Sequence, residues 1–187
     1  MTRRGIAVIA SAMLMLSLSG GHVFADQSSE NLESLFRELA TAEYPITAQQ
    51  LEREIWRTWL DSGDERVNRK LRTGISAMQG GRLEAAIQHF SEVIEMAPGF
   101  AEGWNKRATA HYLNGEFSSS MRDIQETLER EPRHFGAISG MGLIFMQQGD
   151  ERAALDAFEE VLKIHPQAPG AGKHAERLRK KLKGREI

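Results

Sequence analysis

Leu32, Leu35, Phe36 and Leu39 fall on one face of a helix spanning 31–42, after a short polar lead-in, and Pro45 breaks it. Thr47 with Gln50 reads as a capping box that opens a second helix, whose apolar stripe is Leu51, Ile55 and Trp59, with Trp56 and Leu60 beside it. Ser62-Gly63-Asp64-Glu65 is another capping-box match. Beyond it the pattern predicts helices at about 65–79 and 83–96, 100–113 and 117–130, and 134–147 and 151–164. Residues 167–172 then read as a loose joint. Lys173 to Lys183 follows as a basic helix with a thin apolar stripe of Ala175, Leu178 and Leu182.

The six central segments repeat. Pro98, Pro132 and Pro166 are 34 residues apart, and other positions keep the same phase. Gly74, Ala108 and Gly142 share one column; Ala86, Ser120 and Ala154 share another. Small residues at both let two antiparallel helices approach closely. Phe90, Ile124 and Phe158 are the large residues that fill the space beneath the crossing. Gly81, Gly115 and Gly149 supply the turn between the helices, because a left-handed residue at a helix end is cheapest in glycine. Each proline stops a second helix, since it has no N–H and disfavours helix at the residue before it. A helix pair of this kind cannot cover its own apolar face, so neighbouring pairs stack.

This 34-residue pattern resembles the tetratricopeptide repeat. The resemblance implies an all-α fold, a right-handed solenoid of three helix pairs (about 67–100, 101–134 and 135–168). A degenerate N-terminal helical pair (26–64) is expected to cap its front, and the basic helix and tail (169–187) its end. The first-helix column that tryptophan leads in this family holds Lys70, Trp104 and Ile138, so Trp104 is expected in the repeat core. The family binds peptides or protein segments in a concave groove lined by the first helix of each pair. By analogy the groove positions here are Asn68, Leu71, Ile75 and Met78; Glu102, Asn105, Thr109 and Tyr112; and Ser139, Leu143 and Met146. Relatives that clamp chaperone C-termini place basic residues in this groove. Here the matching positions are Leu71, Ile75, Asn105, Thr109, Ser139 and Leu143, which argues against a carboxylate clamp.

Composition adds constraints. The chain has 187 residues, no cysteine and a formal charge of −2. That excludes disulfides, thiol catalysis and cysteine metal sites, and demands no nucleic-acid partner. Met1 to Ala25 reads as a signal peptide: Arg3 and Arg4 precede an apolar run, Ile6 to Leu18, that is too short to span a bilayer comfortably. Cleavage after Ala25 gives an exported, periplasmic protein with no membrane span. No two histidines of the mature chain stand at metal-ligand spacing on one helix. His134 and His165 read as helix-end or surface residues.

Gly136-Ala137-Ile138-Ser139-Gly140-Met141-Gly142 spells neither a phosphate loop nor a nucleophile elbow, and its glycines suggest close approach by a neighbour or ligand. No catalytic, metal or cofactor site is expected. The basic cluster from Lys173 to Arg185 is a candidate for weak contact with an anionic surface. The functional expectation is a non-enzymatic adaptor for a protein or peptide partner, serving the cell envelope. The alternatives are a structural protein that self-associates through its groove or its Trp56/Trp59 pair, and an accessory subunit of an envelope complex.

Overall fold

The computed structural model describes residues 30–184. Among them are nine α-helices and no strand: α1 (Glu30–Ala40), α2 (Pro45–Trp59), α3 (Glu65–Gln79), α4 (Leu83–Met96), α5 (Ala101–Leu113), α6 (Phe117–Arg130), α7 (Phe135–Gln148), α8 (Glu151–Ile164) and α9 (Pro169–Lys183). The segment read as a signal peptide lies outside the described residues.

The three pairs α3–α4, α5–α6 and α7–α8 are built as the columns require. Gly81, Gly115 and Gly149 each have φ between 72° and 79°, the left-handed turn that glycine adopts without strain. A Cβ on Gly74 would lie 2.5 Å from the Phe90 ring, and one on Gly142 would lie 3.0 Å from Phe158. The missing side chain in α3 and in α7 is therefore what admits the phenyl ring of its partner helix. In the middle pair Ser120 donates a 2.8 Å hydrogen bond to the Ala108 carbonyl, which satisfies its buried hydroxyl against the backbone it packs on.

One helix cap and two helix starts differ from the sequence expectation. Asp64 caps α3, its side chain accepting from Arg66 N–H, while the Ser62 hydroxyl donates to Asn68 instead. The α2 helix begins at Pro45, ahead of the Thr47 capping box, because proline at the first helical position has its φ already set. Pro169 does the same for α9, so the expected joint at 167–172 is helical from Pro169 onward.

Trp104 is also placed differently. It is half-buried, donates its indole N–H to the Pro98 carbonyl at 3.0 Å, and lies between the Arg107 and Arg130 guanidiniums, 5.1 and 4.8 Å from its ring. Its place is at the edge of the repeat, with its faces covered by cations.

The largest difference concerns the N-terminal pair. It does not cap the front of the array; α1 and α2 fold back onto the third repeat. Leu32, Phe36, Leu39, Ile55 and Trp59 share one core with Phe135, Ile138, Leu155 and Phe158. Trp59 is fully buried and stacks on His134 at 4.0 Å between ring centres. Trp56 meets Phe135 edge-on at 5.6 Å. Arg133 covers the Phe36 ring and pairs with Glu33 at 2.8 Å. The tryptophan pair thus belongs to an intrachain core, with Trp59 unavailable as an oligomer contact.

The glycines of α7 show why the pair docks there. A Cβ on Gly136 would sit 2.7 Å from Trp56, so the neighbour that approaches this helix is the chain's own indole. At the far end, Ala171, Ala175 and Leu178 of α9 complete the same core, which gives the basic helix the capping role expected of it.

Candidate functional site

The first helices α3, α5 and α7 carry every residue assigned to the groove, but the fold distributes them. Asn105, Thr109 and Tyr112 of α5 and Ser139 and Leu143 of α7 line one cleft of about 170 Å³, with Ile124 of α6 also against it. Gly136 and Gly140 hold this cleft open; a Cβ at Gly140 would stand 3.4 Å from Ile124 Cδ1. Tyr112 packs against Phe117, 5.6 Å between ring centres, which fixes one wall. Thr109 donates its hydroxyl to the Asn105 carbonyl at 2.9 Å.

Asn68, Leu71 and Ile75 line a different cleft, between α2 and α3. Leu71 is buried, and Met78 packs against the first-repeat core. Met146 lies 3.8 Å from the Arg177 guanidinium beside α9.

Besides Leu71, two polar residues assigned to the groove are not free surface. Glu102 is fully buried and Asn105 nearly so. Glu102 accepts from Asn105 Nδ2 and His134 Nε2, each at 2.9 Å, and pairs with Lys106 Nζ at 2.8 Å. Burial alone would raise the Glu102 carboxyl. Lys106 and the His134 hydrogen bond outweigh that and hold it below its ordinary value of 4.5. His134 is likewise buried and far from being a surface residue: its Nδ1 accepts from Ala137 N–H and caps α7.

One charged network therefore ties the start of α5 to the start of α7, directly under Trp59. His165, also buried, faces Glu52 of α2 at 3.4 Å, and that hydrogen bond, against the effect of burial, lowers the Glu52 carboxyl. Sequence reasoning missed these partners because they join residues 32 and 113 positions apart, outside the columns of the repeat. A proton-accepting ring at each of two repeat junctions was the available signal.

On the C-terminal helix, Lys181, Arg179 and Lys180 pair with Glu151, Glu159 and Glu176 at 2.6 to 2.8 Å. Much of the basic character is therefore answered within the chain. Among the described residues no group of three histidines, aspartates or glutamates is placed to hold a metal ion, and no helix is long and apolar enough to cross a membrane.

The tetratricopeptide-repeat family model matches residues 71–123 and 107–169, just over half of the chain. This protein belongs to the tetratricopeptide-repeat family. A TPR repeat-containing protein of Rhizobium etli is 36% identical over 155 residues, spanning 83% of this chain and 76% of that one. Among solved structures, the Sgt2 TPR domain of Aspergillus fumigatus superposes with a TM-score of 0.61 at 18% identity, over 66% of this chain and 83% of that domain. The first TPR domain of Spaghetti (RPAP3), solved bound to an HSP90 peptide, gives 0.60 at 18% identity over 64% and 95%. At such identities the likeness is one of fold. Both structural matches extend over about two thirds of this tetratricopeptide chain.

Proposed function

We propose that this tetratricopeptide protein is a non-enzymatic, exported adaptor that holds a protein or peptide partner on the face formed by α5 and α7. The observation that carries the reading is the cleft lined by Asn105, Thr109, Tyr112, Ser139 and Leu143. It is a concavity with apolar walls and a few polar atoms, the composition that suits an extended peptide. Asn105 donates to Glu102 and so is held in one orientation, which pre-forms that part of the wall. The peptide-bound state of the RPAP3 domain supports the same use of the fold. The expected signal peptide supports export to the periplasm and a role in the cell envelope.

The test is crosslinking in intact cells, followed by capture of the protein tagged at its C-terminus. Tyr112→Ala and Leu143→Asp are the variants, since Asn105 and Glu102 belong to the structural network. The reading expects one dominant heterologous partner, lost in both variants while each, though less stable, keeps its helical circular-dichroism spectrum at the temperature of capture. A partner captured equally well by both variants places the binding face elsewhere. Recovery of the protein alone, as an oligomer that dissociates on dilution, favours the self-association alternative. Fractionation of the same cells checks the export step: the mature protein should leave with the periplasmic contents, shortened by the signal.

A further inference from the structure

Because α2 is anchored on the third repeat, it stands off α3, to which the chain returns through a turn at Gly63 with φ of 77°. The space between the two helices is an open cleft of about 590 Å³. Its apolar surface comes from Trp56, Leu60, Leu71 and Ile75, of which Leu71 is buried and the others half-buried. Three exposed guanidiniums, Arg53, Arg57 and Arg72, stand on its rim. Among the described residues Asp61 is the one carboxylate lining it, and this is already engaged, accepting from Gly63 N–H at 2.9 Å and Asn68 Nδ2 at 2.8 Å. Those two hydrogen bonds hold the Asp61 carboxyl below its usual range.

Among the described residues no carboxylate lies within ion-pair distance of Arg53. Among the described residues Arg57 and Arg72 pair with exposed Glu54 and Glu65 alone. Exposed pairs of that kind contribute little, so an incoming carboxylate can replace either partner. The cleft therefore offers an apolar floor beneath a rim of three guanidiniums, two of which hold only exposed, exchangeable carboxylate partners. Guanidiniums favour bidentate carboxylate ligands.

We propose that the α2–α3 cleft docks a short segment of a partner protein in which one or two large apolar residues are flanked by aspartate or glutamate. The proposal rests on the protein-binding reading above and names the kind of segment bound. Two of the clamp positions, Leu71 and Ile75, supply part of its apolar floor but carry no base; the cations come instead from Arg53 and Arg57 of α2 and Arg72 of α3. The apolar side chains enter against Trp56 and Ile75, and the flanking carboxylates meet Arg53, Arg57 and Arg72.

The test uses the mature protein and three fluorescein-labelled hexapeptides, followed by fluorescence anisotropy. The first is Glu-Asp-Leu-Phe-Asp-Glu. The second replaces its acids by lysine, and the third replaces Leu-Phe by Ser-Ser. The first should bind about tenfold more tightly than either control, and more weakly as salt rises. The variant Arg53→Glu/Arg57→Glu, altered only at exposed positions, should lose about tenfold in affinity for it with an unchanged melting temperature. Ile75→Gln should weaken the first peptide and leave the third as it was.

Equal binding of the basic peptide, no binding of the acidic one, or indifference to the arginine variant overturns the proposal. If affinity instead falls with Tyr112→Ala and not with the arginine variant, this site is wrong while the α5–α7 reading stands. A dimer that the arginine variant abolishes would make a second copy the occupant, and would equally overturn it.

Discussion

The first and third repeats share one register and do different work. In the first, α3 and α4 pack Val67, Leu71, Phe90 and Val93 into a core that continues toward the second repeat and meets the end of α2 at Leu60, and the outer side of α3 is left to arginines. In the third, α7 and α8 carry the same glycine–phenylalanine crossing, yet their core extends to α1 and α2 on one side and α9 on the other. The column Asn68, Glu102, Gly136 shows what makes the difference. Asn68 ties down the α2–α3 turn, Glu102 holds a buried charge network, and Gly136 clears room for Trp56. The period builds three equivalent helix pairs; residues outside the conserved columns of the repeat decide which pair receives the terminal helices.

The largest break in this contrast should come from Trp59→Ala. Removing a fully buried indole that joins α2 to the third repeat should cost about 3–5 kcal/mol. Trp104→Ala, at a half-buried position flanked by two arginines, should cost about 1–2 kcal/mol, mainly in lost cation–π contact. Urea unfolding of both variants checks the pair. Equal losses would mean that the N-terminal pair is no more integral than a repeat edge.

Glu102→Ala should cost about 3 kcal/mol, because it leaves His134 and Lys106 without their buried carboxylate. The pH dependence follows from the lowered Glu102 carboxyl. Its stabilisation is fully present above its ordinary value of 4.5 and is lost as pH falls through the lower folded value. Stability of the native protein should therefore decline with acid below about pH 4.5 more steeply than that of the variant. Parallel acid profiles would show that the network carries no net stabilisation.

The smallest and sharpest comparison is between two glycines of one helix. Gly136→Ala should destabilise by about 1–3 kcal/mol, since its Cβ meets Trp56. Gly140→Ala, whose nearest neighbour is Ile124 at 3.4 Å, should be neutral or stabilising by up to about 1 kcal/mol through helix propensity. Thermal denaturation distinguishes them; a Gly136→Ala variant as stable as Gly140→Ala would remove Trp56 from α7.

What was legible in the sequence is what repeats. The six repeat helices begin and end within a residue of the expected spans, and the Gly74–Phe90 and Gly142–Phe158 contacts follow from small and large residues in fixed columns. The docking of α1 and α2 was not legible, because it depends on single contacts between residues far apart in the chain: Trp59 on His134, Arg133 on Glu33, Trp56 over Gly136. The glycine run of α7 did signal a close neighbour without naming it.

For the candidate site, analogy gathered five residues into one cleft. It misjudged Glu102, because a first-helix position can turn inward when a histidine waits at the next junction. In the α2–α3 cleft only the α3 wall, Asn68, Leu71 and Ile75, was legible from the repeat; the α2 wall was not, since that helix lies outside the repeats.

The most direct test of this account is where α1 lies. The chain has no native cysteine, so Glu33→Cys can be paired either with Arg133→Cys at the start of the third repeat or with Arg72→Cys in the first. Each pair would be treated with a short bismaleimide, and intramolecular bridging read by mass spectrometry. The account predicts efficient bridging to position 133 and little to position 72. Bridging to 72 in preference to 133 would return the N-terminal pair to the front of the array and contradict it.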